Sequence, residues 1–256
     1  RPYQTDYRNS VWNCGILPVY RQQLYSVYGE YKSTAREFFA TVNLTHNREW
    51  YNRIYEQRIE NGQVQRVSLP LSNHGSGYTV KSTLSKGFYD LGLKTSLMAL
   101  LNISKAEQIS GGQRLPYQYR LMRLEPKVIW TPNRHWETSY QTDIRYGGNK
   151  IGERTRLAPL WNVTQQVQLS YIFSPIEASL SVDHYHNDVN EDQSVNAVFA
   201  DFSVLWKSRR LQITATATNL FDKRTYGYTR YASLESYTSW VRIRPREFLV
   251  AIRYQL

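Results

Sequence analysis

Trp136-Glu137-Thr138-Ser139-Tyr140-Gln141-Thr142-Asp143-Ile144-Arg145-Tyr146 alternates with a period of two. In an extended chain Trp136, Thr138, Tyr140, Thr142, Ile144 and Tyr146 share one face, and Glu137, Ser139, Gln141, Asp143 and Arg145 share the other. One face is aromatic or apolar and the other is wet. Residues 161–173 repeat the arrangement, with Trp161, Val163, Val167, Leu169, Tyr171 and Phe173 opposite Asn162, Thr164, Gln166, Gln168 and Ser170, and only Gln165 breaking the apolar row. Residues 91–104 and 211–218 alternate in the same way. Such strands run about nine to thirteen residues, longer than the usual five or six of soluble sheets and suited to a tilted, bilayer-spanning strand of about 9–11.

The connections between the alternating segments fall into two sets. Short ones are expected at 33–36, 87–91, 131–134, 174–177 and 207–210, and longer polar ones at 59–63, 109–114, 147–156, 186–193 and 223–238. Short turns at one end and long loops at the other are the asymmetry of outer-membrane barrels. About eleven strands result, an odd number, whereas a complete single-chain bacterial barrel has an even one. Eleven is half of the 22 strands of plugged outer-membrane transporters.

Composition narrows the classes further. Of 256 residues, 41% are hydrophobic and 14% aromatic, which is too apolar for a disordered chain. The apolar runs, such as residues 97–101, are too short for a transmembrane helix. A single Cys14 excludes an intrachain disulfide or a Cys-based zinc site. The chain opens Arg1-Pro2-Tyr3, with neither Met nor an apolar leader core, which reads as a processed or artificial start. Trp50, Trp130, Trp136, Trp161, Trp206 and Trp240 fall close to expected strand ends, where interfacial aromatic girdles belong; the competing reading is aromatic core of a soluble β protein. The net charge of +11 raises nucleic-acid binding, but the cations scatter instead of lining one face, so no nucleic-acid partner is expected.

Two segments carry a family resemblance. Ala217-Thr218-Asn219-Leu220-Phe221-Asp222-Lys223-Arg224 resembles the penultimate "NLFDK" strand of TonB-dependent outer-membrane receptors of the Bacteroidetes, SusC-like type. Residues 242–256, from Arg242-Ile243-Arg244-Pro245-Arg246-Glu247-Phe248 to Tyr254-Gln255-Leu256, are similar to that family's closing strand, with Leu at the end where Phe is commoner. The match covers about the last 45 residues. It implies an all-β, antiparallel transmembrane β-barrel, with residues 1–256 as the C-terminal part of the barrel domain and the plug domain absent from this chain. It further implies nutrient transport across the bacterial outer membrane. The implied partners are the remaining barrel strands and the plug, outer-membrane lipid and lipopolysaccharide, TonB acting through the plug, and a surface lipoprotein lid.

Within that expectation Phe248, Val250, Ile252, Tyr254 and Leu256 share one face as the insertion-signal strand. Pro245, which donates no hydrogen bond, belongs near that strand's outer end. Thr41, Asn43, Thr45, Glu49, Gln141, Asp143, Arg145, Gln166 and Gln168 face the lumen, as do Asn47 and Asn162. Arg224, Arg230, Arg242, Arg244 and Arg246 form a basic outer rim, placed to meet lipopolysaccharide phosphates or an acidic ligand.

Chemistry-bearing clusters are few. Asp183, His184, His186 and Asp188 are the densest, but alternation sends His184 and His186 to one face and Asp183 and Tyr185 to the other, so one metal does not gather them. His46 with Glu49, and His74, read equally as solvated polar residues. Gly111-Gly112 and Gly147-Gly148 read as loop turns. The sequons at Asn43, Asn102 and Asn162 lie inside strands and are expected to stay unmodified. No phosphate loop, dinucleotide fingerprint or nucleophile elbow occurs, so the expectation is a non-enzyme without a cofactor. The alternatives are a self-contained outer-membrane pore or structural, adhesive barrel, a loop-based hydrolase, and a soluble β-sandwich binding protein.

Overall fold

The computed structural model describes residues 3–4, 9–12, 15–60, 63–152, 155–156, 158–190, 192–232 and 235–255. In chain order the strands are β1 (Tyr3–Gln4), β2 (Asn9–Trp12), β3 (Tyr20–Ser33), β4 (Phe38–Tyr51), β5 (Ile54–Glu60) and β6 (Gln63–Leu69). Then follow β7 (Asn73–Phe88), β8 (Leu93–Ser110), β9 (Gln113–Asn133), β10 (Trp136–Ile151), β11 (Thr155–Arg156) and β12 (Leu160–Phe173). The last are β13 (Ile176–Asp188), β14 (Ser194–Lys207), β15 (Leu211–Thr218), β16 (Thr225–Ala232), β17 (Glu235–Arg242) and β18 (Glu247–Tyr254). The only helical element among the described residues is a single 3₁₀ turn, Tyr89–Leu91, and no helix is long and apolar enough to cross a membrane.

The chain is all-β, and its centre is an antiparallel wall in the order β3-β4-β7-β8-β9-β10-β12-β13-β14-β15-β18, which is eleven strands. Consecutive wall strands are neighbours throughout, as nearest-neighbour connections favour. The five short connections all lie at one edge, at Thr34 to Glu37, the 3₁₀ turn, Arg134-His135, Ser174-Pro175 and Ser208 to Arg210. The long excursions lie at the opposite edge.

Three expectations need correction. The sheet is mixed: β2 runs parallel to β6, and the start of β5 runs parallel to the end of β8, because the 54–69 excursion returns beside the top of β8. The 109–114 connection is no long loop. Gly111 and Gly112, at φ +58° and +75°, close a two-residue turn whose twist matches its strands, so β8 and β9 extend to 18 and 21 residues. Gly147 and Gly148 lie inside β10, paired with Leu121 and Arg120 of β9; the ladder overrides their local turn preference. The sheet is also not closed, since among the described residues β3 pairs only with β4 and β18 only with β15.

Register reveals the strand inclination. A single pairing row passes through Phe38, Lys86, Thr95, Val128, Tyr140, Val167, Val182 and Ala200. Phe38 is the first residue of β4, yet Ala200 lies seven residues from the turn-side end of β14 at Lys207. That is about one residue of stagger per strand; at about 3.3 Å per residue and 4.8 Å between strands it inclines the strands by about 35°. Barrel strands tilt by about 35–45°.

Burial is thin. Among the described residues the buried apolar side chains are Ile54, Ile109, Leu160, Ala197 and Ala200. A soluble sandwich interdigitates two inner faces into a core about 10 Å thick, but the second sheet here is only the β16–β17 hairpin. Most large apolar side chains of the wall therefore sit on one uncovered face, among them Leu84, Leu97, Phe202, Val250 and Ile252.

Candidate functional site: the polar face and its hairpin roof

Cross-strand partners share a face, and the registers make the apolar and polar rows continuous across the wall. On the apolar face Trp130, Trp136 and Trp206 stand near the short-turn edge, with the Trp136 ring tilted against that of Tyr171 at 4.6 Å. Tyr146 and Trp161 meet edge to face at 4.8 Å on the far side. Ten residue steps separate Trp136 from Tyr146 along β10, which along a strand inclined by about 35° is a height of about 27 Å. Between these girdles the apolar face carries no Asp, Glu, Lys or Arg among the described residues except Lys86, whose ammonium reaches down to the Arg36 carbonyl in the turn.

The opposite face holds the residues expected to line a lumen. The Thr41 and Thr83 hydroxyls hydrogen-bond across the ladder. Ser26 and Thr45 donate to Asn43 Oδ1 at 3.0 and 3.3 Å. Glu49 accepts from Tyr51 OH at 2.8 Å and from Asn47 Nδ2 at 3.0 Å. Gln141 pairs with Gln166, and Gln168 lies between Ser139 and Ser181.

Asp143 is the hub. Arg123 donates to both its oxygens, each at 3.0 Å, and Arg145 Nη2 donates to Oδ2 at 2.5 Å. Glu125 pairs with the same Arg123 Nη2 that meets Asp143 Oδ2. Two guanidiniums and two carboxylates thus neutralise one another, and Asp143 keeps only 18% of its side chain exposed. Asp143 and Arg145 were legible from alternation, but Arg123 and Glu125 were not, because their strand mixes charges with Leu121, Leu124 and Pro126 and shows no clean period of two.

Arg123, Asp143 and Arg145 line a cavity of about 450 Å³ with Asn162, Asn187 and Tyr228. The roof is the β16–β17 hairpin, which folds over the polar face instead of projecting away. Asn187, 3% exposed, donates to Tyr226 OH at 3.0 Å, and Tyr226 sets its ring edge-on to Tyr185 at 5.2 Å. Gly227 lies under Trp240; a Cβ there would stand 2.7 Å from two ring carbons, so the two hairpin arms meet this closely only with glycine.

The segment Asn219-Leu220-Phe221-Asp222 clasps the hairpin base. Asn219 and Asp222 both take the left-handed conformation, at φ +50° and +51°, which Asn and Asp tolerate better than other side chains. Asn219 Oδ1 accepts the Lys223 amide at 3.0 Å, and its Nδ2 donates to the Lys223 and Arg244 carbonyls at 2.9 and 2.8 Å. Asp222 accepts from the Arg246 amide at 2.9 Å and from Arg224 Nη2 at 2.8 Å. Both arms of the excursion are therefore tied at one point.

The Arg246 amide first, and then the Arg224 guanidinium, hold the Asp222 carboxyl below the usual carboxylate range. Because the native carboxyl binds its proton less readily than the unfolded one, the stabilisation is present in full above the ordinary carboxylate range. It is lost as pH falls through the depressed native value. Hydrogen exchange of the amides of 225–242, corrected for intrinsic rate, is expected to accelerate on going below about pH 4, and D222N is expected to remove that dependence. An unchanged pH profile in D222N would remove Asp222 from the clasp.

The remaining candidates are dispersed. Arg224 is ion-paired with Asp222, Arg242 and Arg244 are exposed, and the side chain of Arg230 lies outside the described residues, as do Cys14 and Leu256. Phe248, Val250, Ile252 and Tyr254 share a face, opposite Ala217, Ala215, Ile213 and Leu211. Pro245 immediately precedes β18. His184 contacts Gln165, His186 pairs with Asp188 at 3.3 Å, and Asp183 points to the other face. His46 stacks on Tyr78 at 4.3 Å and contacts the Gly77 carbonyl, away from Glu49. His74 is exposed opposite Trp50. Among the described residues no three His, Cys, Asp or Glu side chains gather as a metal group.

Compared with protein-family models, curated proteins and solved structures, the chain matches none.

Proposed function

We propose that this chain is the wall and outer excursions of an outer-membrane β-barrel, the C-terminal half of a 22-stranded TonB-dependent nutrient receptor. The observation that carries the reading is the uncovered apolar face between two aromatic girdles, with Lys86 its one charged residue among those described, on a wall whose terminal strands β3 and β18 lack outer partners among the described residues. A face of this kind is costly in water and ordinary in lipid. The two open edges cannot stand in hydrocarbon, where each unpaired N–H or C=O costs several kcal/mol, so further strands are required. Eleven strands inclined by about 35° are half of a 22-stranded wall. The same open edges disfavour the alternative of a self-contained pore or adhesive barrel.

On this reading the polar face lines the lumen, where a plug from the missing part docks and couples to TonB. Substrate binds and passes; no bond is made or broken by this chain, and no cofactor takes part. The hairpin over the Arg123–Asp143–Arg145 cluster narrows the outer half of the lumen. A surface lipoprotein lid would meet the long-excursion edge.

The test uses the whole protein carrying this chain, in native membranes, with Cys14 replaced by Ser. Leu97→Cys and Val250→Cys are expected to react with an apolar maleimide and to resist a charged, membrane-impermeant one, whereas Arg209→Cys at the turn edge reacts with both in membrane fragments. Equal reaction of the charged reagent at all three positions would overturn the membrane reading.

A further inference from the structure

The β16–β17 hairpin stands apart from the wall. Among the described residues its two strands pair only with each other, and no backbone ladder joins them to a wall strand. It springs from the β15–β18 edge of the sheet, yet β16 lies against β14, β13 and β10, so the hairpin crosses the polar face as a cantilever. Its root is fixed to β14 by the Leu220 amide, which donates to the Ala200 carbonyl at 2.8 Å, and by the Asn219 amide, which donates to Asp201 Oδ1 at 2.8 Å. At that root Asn219 and Asp222 tie both arms, and the Ile243 amide adds a bond to the Arg224 carbonyl at 2.9 Å.

Beyond the root the arms grip each other through a full ladder, from Thr225 opposite Arg242 to Ala232 opposite Glu235. The Thr229 and Thr238 hydroxyls bond across it at 2.8 Å, and Trp240 packs on Gly227. The grip on the wall is of another kind. It consists of side-chain contacts near the root: Asn187 Nδ2 donates to Tyr226 OH at 3.0 Å and to the Gly227 carbonyl at 3.4 Å, and Tyr226 meets Tyr185 edge to face. An element joined to its neighbours by a few side-chain contacts opens at a lower free energy than one joined by a ladder. Parting from the wall therefore costs less than parting the arms.

Beneath the hairpin lies the cavity of about 450 Å³. One pairing row, through Arg123, Arg145, Asn162 and Asn187, forms its floor, and Tyr228 with buried Thr229 forms its roof. Asn162 Oδ1 is buried there without a hydrogen-bond partner, a cost that ends when a donor reaches it. Gly147 keeps the floor open, since a Cβ at that position would meet nothing within 4 Å.

We propose that the β16–β17 hairpin is a hinged lid that swings as one piece about the Asn219–Asp222 root, with the Asn187–Tyr226 contact as the latch that holds it over the chamber. The inference rests on the lumen reading of the polar face and adds regulation to it. With the lid down, the Arg123–Asp143–Arg145 cluster and Asn162 are shut from the outer side; with the lid up, a solute in the lumen reaches them.

The test places a reporter thiol in the chamber, Gly147→Cys, in the whole protein in membrane fragments with Cys14 replaced by Ser. The probe is a small charged methanethiosulfonate. In the parent the reporter is expected to react more slowly than Arg209→Cys at the exposed turn edge. Tyr226→Phe, which removes the hydroxyl that accepts from Asn187, is expected to speed it about fivefold, the worth of one neutral hydrogen bond, and Asn187→Leu to do so at least as much. Gln168→Cys, on the same face but toward the turn edge, keeps its rate in both variants. Hydrogen exchange of the β16–β17 ladder is expected to stay as in the parent, because the arms move together. A reporter as fast as Arg209→Cys in the parent, or one indifferent to both latch variants, overturns the lid. So does ladder exchange that accelerates in step with labelling, which would mean that the hairpin unravels instead of swinging. Failure of the membrane reading appears separately, as charged-reagent labelling at Leu97→Cys.

Discussion

Leu169→Arg is expected, on the proposed membrane reading, to destabilise the protein by about 2–4 kcal/mol, while Gln168→Arg, one residue away, changes stability by less than about 0.5 kcal/mol. Both residues lie in β12, four and five positions from its end at Phe173. Leu169 opposes Thr138 and Leu180 on the apolar face; Gln168 opposes Ser139 and Ser181 on the polar one. A period of two sends neighbours to opposite faces, so on the membrane reading proposed above identical substitutions meet lipid in one case and water or a hydrated plug in the other. The measurement is urea unfolding of the whole protein refolded into phospholipid vesicles. Equal destabilisation by the two variants would mean that the faces do not differ in solvent, and the lumen and lipid assignments would fall together.

Asn219→Ala is expected to cost about 2–3 kcal/mol and to free the hairpin from the polar face. Asn219 is 7% exposed and makes three side-chain hydrogen bonds, to the Lys223 amide and to the carbonyls of Lys223 and Arg244. Truncation leaves these buried backbone groups without partners at about 1–3 kcal/mol, and alanine in the left-handed region adds about 1 kcal/mol. The release should be read as faster hydrogen exchange in both β16 and β17, with the wall strands β10 and β12 unchanged. Asn219→Asp, which keeps the acceptor for the Lys223 amide and loses both donations, should fall between parent and alanine. Exchange confined to residues 219–224 would show instead that Asn219 holds only its own turn and that Tyr226, Asn187 and Trp240 keep the hairpin in place.

Alternation made the faces of β10, β12 and β15 legible, because a half-exposed strand writes its two solvents into alternate residues. The short-turn edge was legible too, since turn residues break the alternation at regular intervals. The glycine pairs mark the limit of such reading. Gly111-Gly112 forms a turn and Gly147-Gly148 does not, although both are equally permissive locally; the difference is that β9 continues past Gly148 and pairs with it. Arg123 and Glu125 escaped for a related reason. Their strand interleaves charges with Leu121, Leu124 and Pro126, and the significance of Arg123 appears only when β10 brings Asp143 to within 3.0 Å.

By itself, then, the amino-acid order determined the all-β class and the faces of the long strands, which are set by local period and turn chemistry; the about eleven strands read from it correspond to the central wall, while eighteen are present among the described residues. Tertiary structure decided how the charges are shared. It joined Arg123, Asp143 and Arg145 under a roof formed by residues more than seventy positions further along the chain, and converted Asn219 and Asp222 from a turn into a clasp. These juxtapositions depend on register and stagger between strands distant in sequence, quantities set by pairing across the whole wall and carried by no single segment.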